Sequence, residues 1–449
     1  MGMQTSNRVP IEQTVVQTIR QLIEDQSFQH RHRRGDKDFT RRRELTFGNV
    51  VVFLLQKTVR SIQVHLHDFF DTLGRWAEAV TPSAWCQARW KLKASAFIEL
   101  NQRAILDLIY RPESGFEVRR WKGHRLIGID SSLIRLPNQE AMGREFGWVE
   151  CANNQGECGR YPQGRLSALT DLLNQVVLEG FFVPWSQGER QLAVNHLVTL
   201  APQDIGILDR GFCSYELLAH FQARKRLFVC RCPRSSFAVV NRLFQENQEG
   251  RSVVATLRVH HEDRKAILEA GLPEEITVRF VTVRLSTGEL EVLATNLMDE
   301  AFYPTSEFGP LYHFRWEIET YYGRIKGRLD LENFTGRTPE ALRQDVHSTI
   351  FLSNLESVLT RSTDDQVHEH AQSLQHPQQI NHAVCFHALK SQIIALLLSR
   401  EPIPQTLAKL RHLFAANPIS ARPKRRPPRR KQSAWRSYHY QRNTKKSVF

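Results

Sequence analysis

The sequence has no apolar run near the ~18 residues that a membrane-spanning helix needs. Its best stretches, Val50–Leu55 and Ile393–Leu398, stop at six residues each. The N-terminus lacks the basic-then-apolar layout of a signal peptide, so neither a membrane partner nor export is expected. Cysteine is sparse: seven residues, an odd number, scattered as Cys86, Cys151, Cys158, Cys213, Cys230, Cys232 and Cys385. That is no disulfide framework, and it fits a reducing cytoplasm. Nor do the CxxxxxxC spacing of Cys151 and Cys158 and the CxC of Cys230 and Cys232, even with His260 or His261 added, match the CxxC pairs of structural zinc sites; buried or neutral thiols are expected instead.

What is present is an ordinary globular composition, 41% hydrophobic and 24% charged. A length of 449 residues suggests roughly two to four structural units. Charge is uneven. The chain carries 61 Lys+Arg against 47 Asp+Glu, a formal +14. Eleven of those cations, from Arg422 to Lys446, lie between Ser420 and Phe449, where there is no Asp or Glu. The other positions therefore hold 61 − 11 = 50 cations against 47 acids, only +3. A Pro-rich basic run interleaved with Trp435, Tyr438 and Tyr440 suits a polyanion. A second cluster comprises Arg31, Arg33, Arg34, Lys37, Arg41, Arg42 and Arg43.

Val15, Val16, Ile19, Leu22 and Ile23 fall at helical spacing, and residues 46–73 continue with helical apolar faces. Thr81-Pro82-Ser83 supplies a cap and first turn for a helix through about Leu100, which displays Gln87, Arg89, Lys91 and Lys93. Either a helix-turn-helix-like DNA binder or a plain helical bundle fits this region. From Lys122 the texture changes. Leu126–Asp130 is an apolar run ending in a carboxylate, with Leu133–Leu136 as its hairpin partner. Arg165–Thr170 and Gln175–Leu178 are further strands. Ser186-Gln187-Gly188-Glu189 spells a capping box opening a helix through about Leu200. Ile205–Asp209 repeats the strand-then-Asp pattern, followed by a helix at Tyr215–Ala223 and a strand at Leu227–Cys230. Residues 237–297 read as mostly β. Gly309–Leu329 reads as one long helix, with more helices to about Ala415. A mixed α/β core follows from this alternation.

Two strands thus end in Asp, where α/β sheets present functional groups. In the long helix Tyr312, Arg315, Glu319 and Lys326 sit at offsets 0, 3, 7 and 14, or about 0°, 300°, 340° and 320° around the axis. That stripe makes a poor core face but a good phosphodiester surface, with cations for phosphate oxygens and a carboxylate for a divalent metal. The competing reading is an exposed helix face with an ordinary Arg315–Glu319 ion pair. The pattern Tyr-x2-Arg-x3-Glu-x6-Lys resembles the signature of the IS four family of insertion-sequence transposases, which are DDE recombinases. Gly128-Ile129-Asp130-Ser131-Ser132 and Leu208-Asp209-Arg210-Gly211-Phe212 resemble its first and second catalytic Asp motifs. Phe334-Thr335-Gly336-Arg337, Glu340–Asp345 and the basic C-terminus look familial too, so the resemblance runs from about residue 38 to the end.

The resemblance implies an α/β protein with an RNase H-like mixed-sheet core. Its expected segments are an N-terminal helical DNA-end-binding domain (1–117), a first core part (118–232), a β-rich insertion (233–290), a last core strand with the catalytic helix (291–352), a C-terminal helical region (353–419) and the basic tail (420–449). It further implies a transposase that binds terminal inverted repeats, then cleaves and joins DNA strands. Asp130, Asp209 and Glu319 would be catalytic and would bind two Mg²⁺ ions, roughly 3.5–4 Å apart, with Mn²⁺ a substitute. Tyr312, Arg315, Lys326 and Arg210 would hold DNA phosphates. Partners would be double-stranded transposon ends and target DNA, with a dimer in the DNA complex, in a prokaryotic cytoplasm and nucleoid. A catalytically silent DNA-binding derivative and an RNase H-like nuclease that does not join strands are the alternatives. One departure concerns hairpin excision: relatives stack a flipped base on a Trp of the insertion, yet no Trp lies between Asp209 and the catalytic helix here. Either Phe237, Phe244 or His260 substitutes, or the hairpin chemistry differs.

Overall fold

The computed structural model describes residues 9–41, 43–57, 61–75, 80–152, 156, 158–285 and 288–420; Arg42 and the basic tail from 421 onward lie outside them. The chain divides into two units. The first gathers described residues up to Val118, Ile134–Gly164, and those from Arg324 onward; the second comprises Arg119–Leu133 and Arg165–Gly323.

In the first unit, the helix Ile11–Glu24 buries all five residues of its expected apolar stripe. Thr46, Ser61 and Thr81 cap the helices Phe47–Gln56, Ile62–Thr72 and Pro82–Trp90, each accepting from the backbone N–H three residues on. Pro82 takes the first helical position, where its missing N–H is no loss. The last of these helices does not run to Leu100. It stops at Trp90 because the next backbone groups pair elsewhere: Lys91 C=O accepts from Arg34 N–H (2.9 Å) and Lys93 N–H donates to His32 C=O (2.8 Å). His32–Arg34 are thereby paired with Lys91–Lys93 before a helix resumes at Ser95–Asn101. Thr338 and Pro339 open the 32-residue helix Pro339–His370 in the same way.

The second unit is built on the sheet. Its strands are β1 (Leu126–Arg135), β2 (Trp148–Ala152), β3 (Cys158–Asp171), β4 (Val176–Pro184), β5 (Ile205–Leu208), β6 (Leu227–Arg231), β7 (Ser252–Arg258), β8 (Glu275–Arg284) and β9 (Leu290–Thr295). Their order is β2-β3-β1-β5-β6-β9-β8-β7, with β4 pairing β3. β1, β5 and β6 are parallel, whereas β9, β8 and β7 continue the sheet antiparallel. β2 and the ends of β1 and β3 past the unit boundaries are counted with the first unit. The result is a mixed α/β sheet with flanking helices.

Three local expectations are corrected. Leu126–Arg135 is one strand, not a hairpin, since Asp130-Ser131-Ser132 lacks the Gly or Asn that a tight turn demands. Residues 237–297 also form helices at Ala238–Glu246 and Arg264–Glu269, the first burying Val240 and Leu243, and β8 and β7 extend the same sheet as the core strands. Gly309–Leu329 is two helices, Phe308–His313 and Trp316–Gly327. Between them Phe314 and Arg315 donate to Leu311 and Tyr312 three residues back, tightening the turn. The four-residue stripe therefore does not lie on one continuous helix.

Candidate active site

β1 and β5 run parallel in a register that pairs Gly128 with Ile207 and Ile129 with Leu208. The next residue on each strand is Asp130 or Asp209, so the register sets the two carboxylates side by side. Gly128 admits the third element. A Cβ there would lie 2.7 Å from Leu172 Cδ2 and 3.4 Å from Ile318 Cδ1. Ile318, buried on the Trp316–Gly327 helix, packs over that gap, and Glu319 is its neighbour in sequence. On the same helix the Tyr322 hydroxyl reaches Asp130 C=O (2.9 Å) and Leu166 C=O (3.1 Å), tying helix to strand.

Asp130 is half-buried, and burial pushes its carboxyl up to about 6. The Ser131 N–H (2.8 Å to Oδ1) and Arg315 pull it down, while Glu189 and Asp209 push it further up. Asp209 accepts from the Tyr312 hydroxyl at 3.3 Å and faces Arg231 at 3.8 Å; Arg231 itself is engaged by Glu291 through two contacts. Glu319 accepts from Arg315 Nη2 at 2.9 Å.

Tyr312 and Arg315 are buried, 5% and 4% exposed, so the reading of their stripe as a solvated helix face is ruled out. Burial, then the charge of Asp209, holds the Tyr312 hydroxyl well above its ordinary range, where it stays protonated and able to donate. Burial works against the Arg315 charge, but Tyr312, Asp209 and Glu319 outweigh it and raise its pKa. Arg315 also stacks over Trp316 at 4.6 Å, and its buried Nε–H has no acceptor. Lys326 belongs to the first unit, faces Glu332 at 3.7 Å, and has its pKa lowered by burial. Arg210 opens a 3-10 turn after Asp209 and is exposed.

Sequence reasoning missed Glu189, Arg165 and Arg231. Glu189 is the first residue of the helix Glu189–His196, whose cap position is Gly188, with no side-chain cap bond. The capping-box reading is therefore incorrect: the Glu189 carboxylate instead accepts from Ser131 Oγ at 2.5 Å and pairs with Arg165, which also donates to Ser131 Oγ at 2.7 Å. No sequence signal separates this Glu from a cap residue. Cys230 and Cys232 are buried free thiols that burial pushes up, hence neutral. Phe237 packs on Phe280 at 6.2 Å, whereas His260 is exposed beside His261.

The oxygen donors here suit a hard divalent cation, and the burial of Asp130, with like charge second, is the penalty such a cation would relieve. Among the described residues no group of three or more His, Cys, Asp or Glu is arranged to hold a metal ion; Glu319 is paired with Arg315.

Residues 121–355, just over half the chain, match the family described as Transposase DDE domain. Among curated proteins the chain is similar to Transposase InsG for insertion sequence element IS4 of Escherichia coli K12, 24% identical over 281 residues, 62% of this chain and 60% of that one. It is also similar to the Putative transposase InsZ of the same organism, 30% identical over 30% of this chain and 44% of the relative. The chain thus spans less than two thirds of the length of either relative. A solved structure, the piggyBac transposase synaptic complex with hairpin DNA, aligns at a TM-score of 0.42 and 11% identity, over 89% of this chain and 85% of that one. None of the described helices is long and apolar enough to cross a membrane. With two register-matched aspartates, a glutamate helix packed over Gly128 and a domain match across all three, the chain belongs to the family described as Transposase DDE domain.

Proposed function

We propose that this chain is an insertion-sequence transposase that binds terminal inverted repeats and carries out divalent-metal-dependent strand cleavage and strand transfer. The observation that carries the reading is the side-by-side placement of Asp130 and Asp209 beneath the Glu319 helix. Asp130, Asp209 and Glu319 would hold two Mg²⁺ ions, with Mn²⁺ able to replace them. Ions held there would supply activation of a water or DNA 3′-hydroxyl and charge stabilisation of the departing 3′-oxygen. Glu319 would leave Arg315 for this role. The freed guanidinium, with its already unpartnered Nε–H, would then hold a phosphate oxygen. Tyr312 donates from a hydroxyl that burial keeps protonated, and Lys326 and Arg210 add phosphate contacts.

DNA ends would be held by the N-terminal helical region. There Lys37, Phe39, Arg41, Arg43, Gln87 and Lys91 line a cleft of about 300 Å³, uniting the basic 31–43 segment with the Pro82–Trp90 helix. A dimer would bring two such chains to two ends. The test is a cleavage and strand-transfer assay on duplexes carrying candidate inverted repeats. Asp130→Asn, Asp209→Asn and Glu319→Gln should each lose Mg²⁺-dependent cleavage while retaining end binding. Near-normal cleavage by any one of them removes that residue from the triad. Cutting without joining identifies a nuclease, and binding without cutting by the wild type identifies a silent derivative.

A further inference from the structure

The neighbours of Asp130 include a carboxylate that the three-residue triad does not contain. Glu189 starts its helix yet leaves the cap unfilled. Its Oε1 accepts from the Ser131 hydroxyl at 2.5 Å, and Arg165 bridges both partners. Ser131 is also the residue whose N–H holds Asp130 Oδ1 at 2.8 Å. Arg165 is further fixed by donating to Trp185 C=O at 3.3 Å, and its side chain is only 13% exposed. Glu189, Arg165, Ser131 and Asp130 thus form one connected chain.

An ordinary ion pair between Arg165 and Glu189 would contribute little and would not involve the strand that carries Asp130. Here the pair is anchored on the residue following Asp130: Glu189 holds the Ser131 hydroxyl and the Ser131 N–H holds Asp130 Oδ1, which sets a second, partly exposed carboxylate behind the first. Its negative potential favours an arriving divalent cation, as groups behind metal ligands commonly do.

We infer that Glu189 is a positioning residue for the first catalytic carboxylate: through Ser131 it fixes the orientation of Asp130, and through its charge it strengthens divalent-cation binding there. The inference rests on the proposed metal-binding role of Asp130. It predicts that Glu189 affects cation affinity rather than the strand chemistry itself.

The test is a Mn²⁺ titration of the full-length protein without DNA, followed by electron paramagnetic resonance, alongside the Mg²⁺ dependence of end cleavage. Glu189→Gln keeps the shape and removes the charge. It should weaken Mn²⁺ binding on the order of tenfold and raise the Mg²⁺ needed for half-maximal cleavage, with most of the rate regained at saturating Mg²⁺. Glu189→Asp should recover much of the affinity. A Glu189→Gln isotherm superimposable on the wild type overturns the inference, as does cleavage lost equally at all Mg²⁺ concentrations. Asp130→Asn separates the two levels: if it too leaves Mn²⁺ binding unchanged, the active-site reading fails, and the Glu189 inference with it. Should circular dichroism show Glu189→Gln unfolded, Ser131→Ala, which cuts the link, must weaken Mn²⁺ binding; an unchanged isotherm overturns the inference again.

Discussion

Asp130 sits on an interior strand with little water, next to two other acids and one guanidinium. Its folded-state carboxyl at about 6 exceeds the ordinary aspartate value of 3.8, so the metal-free folded protein holds this proton more tightly than the unfolded chain does. Its contribution to stability is therefore full below pH ~4 and is lost as pH rises through about 6, on the order of 2–3 kcal/mol. Asp130→Asn has no such charge. In EDTA at pH 7.5 it should be more stable than the wild type by roughly this amount, with the difference vanishing near pH 4, as read by urea unfolding at both pH values. A difference independent of pH would show that Asp130 is not held high. Asp130, Asp209 and Glu319 could be proposed from the sequence because each lies in a local motif of characteristic spacing. Glu189 was not, because it meets Ser131 from 58 positions away.

Among the elements, the Pro82–Trp90 helix shows how a basic residue can be misread. Arg89 was grouped with Gln87, Lys91 and Lys93 as a displayed cation, yet it is 5% exposed. Its guanidinium donates to Gln344 Oε1, Thr335 Oγ1, Ala341 C=O and Asp345 Oδ1, all at 2.7–2.8 Å, joining this helix to the Pro339–His370 helix. Gly336 lies close enough that a Cβ would come 3.1 Å from the guanidinium. The Phe334–Arg337 and Glu340–Asp345 segments noted as familial are therefore, in large part, the socket for Arg89. Removing one partner of a buried pair strands the other, so Arg89→Ala should destabilise the protein by about 3–5 kcal/mol. A lower urea midpoint checks this. An unfolding free energy within about 0.5 kcal/mol of the wild type, with DNA affinity lost instead, would return Arg89 to a DNA-contact role. Apolar periodicity identified most helices here, whereas their breaks at Lys91 and Phe314 depended on backbone partners supplied by other segments or by the preceding turn.

At the scale of the whole molecule, charge and chemistry occupy different segments. Nearly all of the +14 resides after Ser420, outside the described residues, and the remainder is close to neutral. Deleting Arg422–Phe449 should flatten the salt dependence of non-specific DNA affinity, because each neutralised phosphate releases counterions. Cleavage of pre-bound ends at low salt should be retained. An unaltered slope in a salt titration would assign the tail to something other than DNA.

The amino-acid order alone pointed to the family, to the two strand-end aspartates and to Glu319 as the proposed third carboxylate, because these rest on short spacings. Only the tertiary structure decided that the Tyr312–Lys326 stripe is broken and half buried, that Arg89 is a structural tie, and that Glu189 stands behind Asp130. Burial and long-range pairing depend on which residues the fold brings together, and two side chains far apart in sequence leave no local mark of meeting.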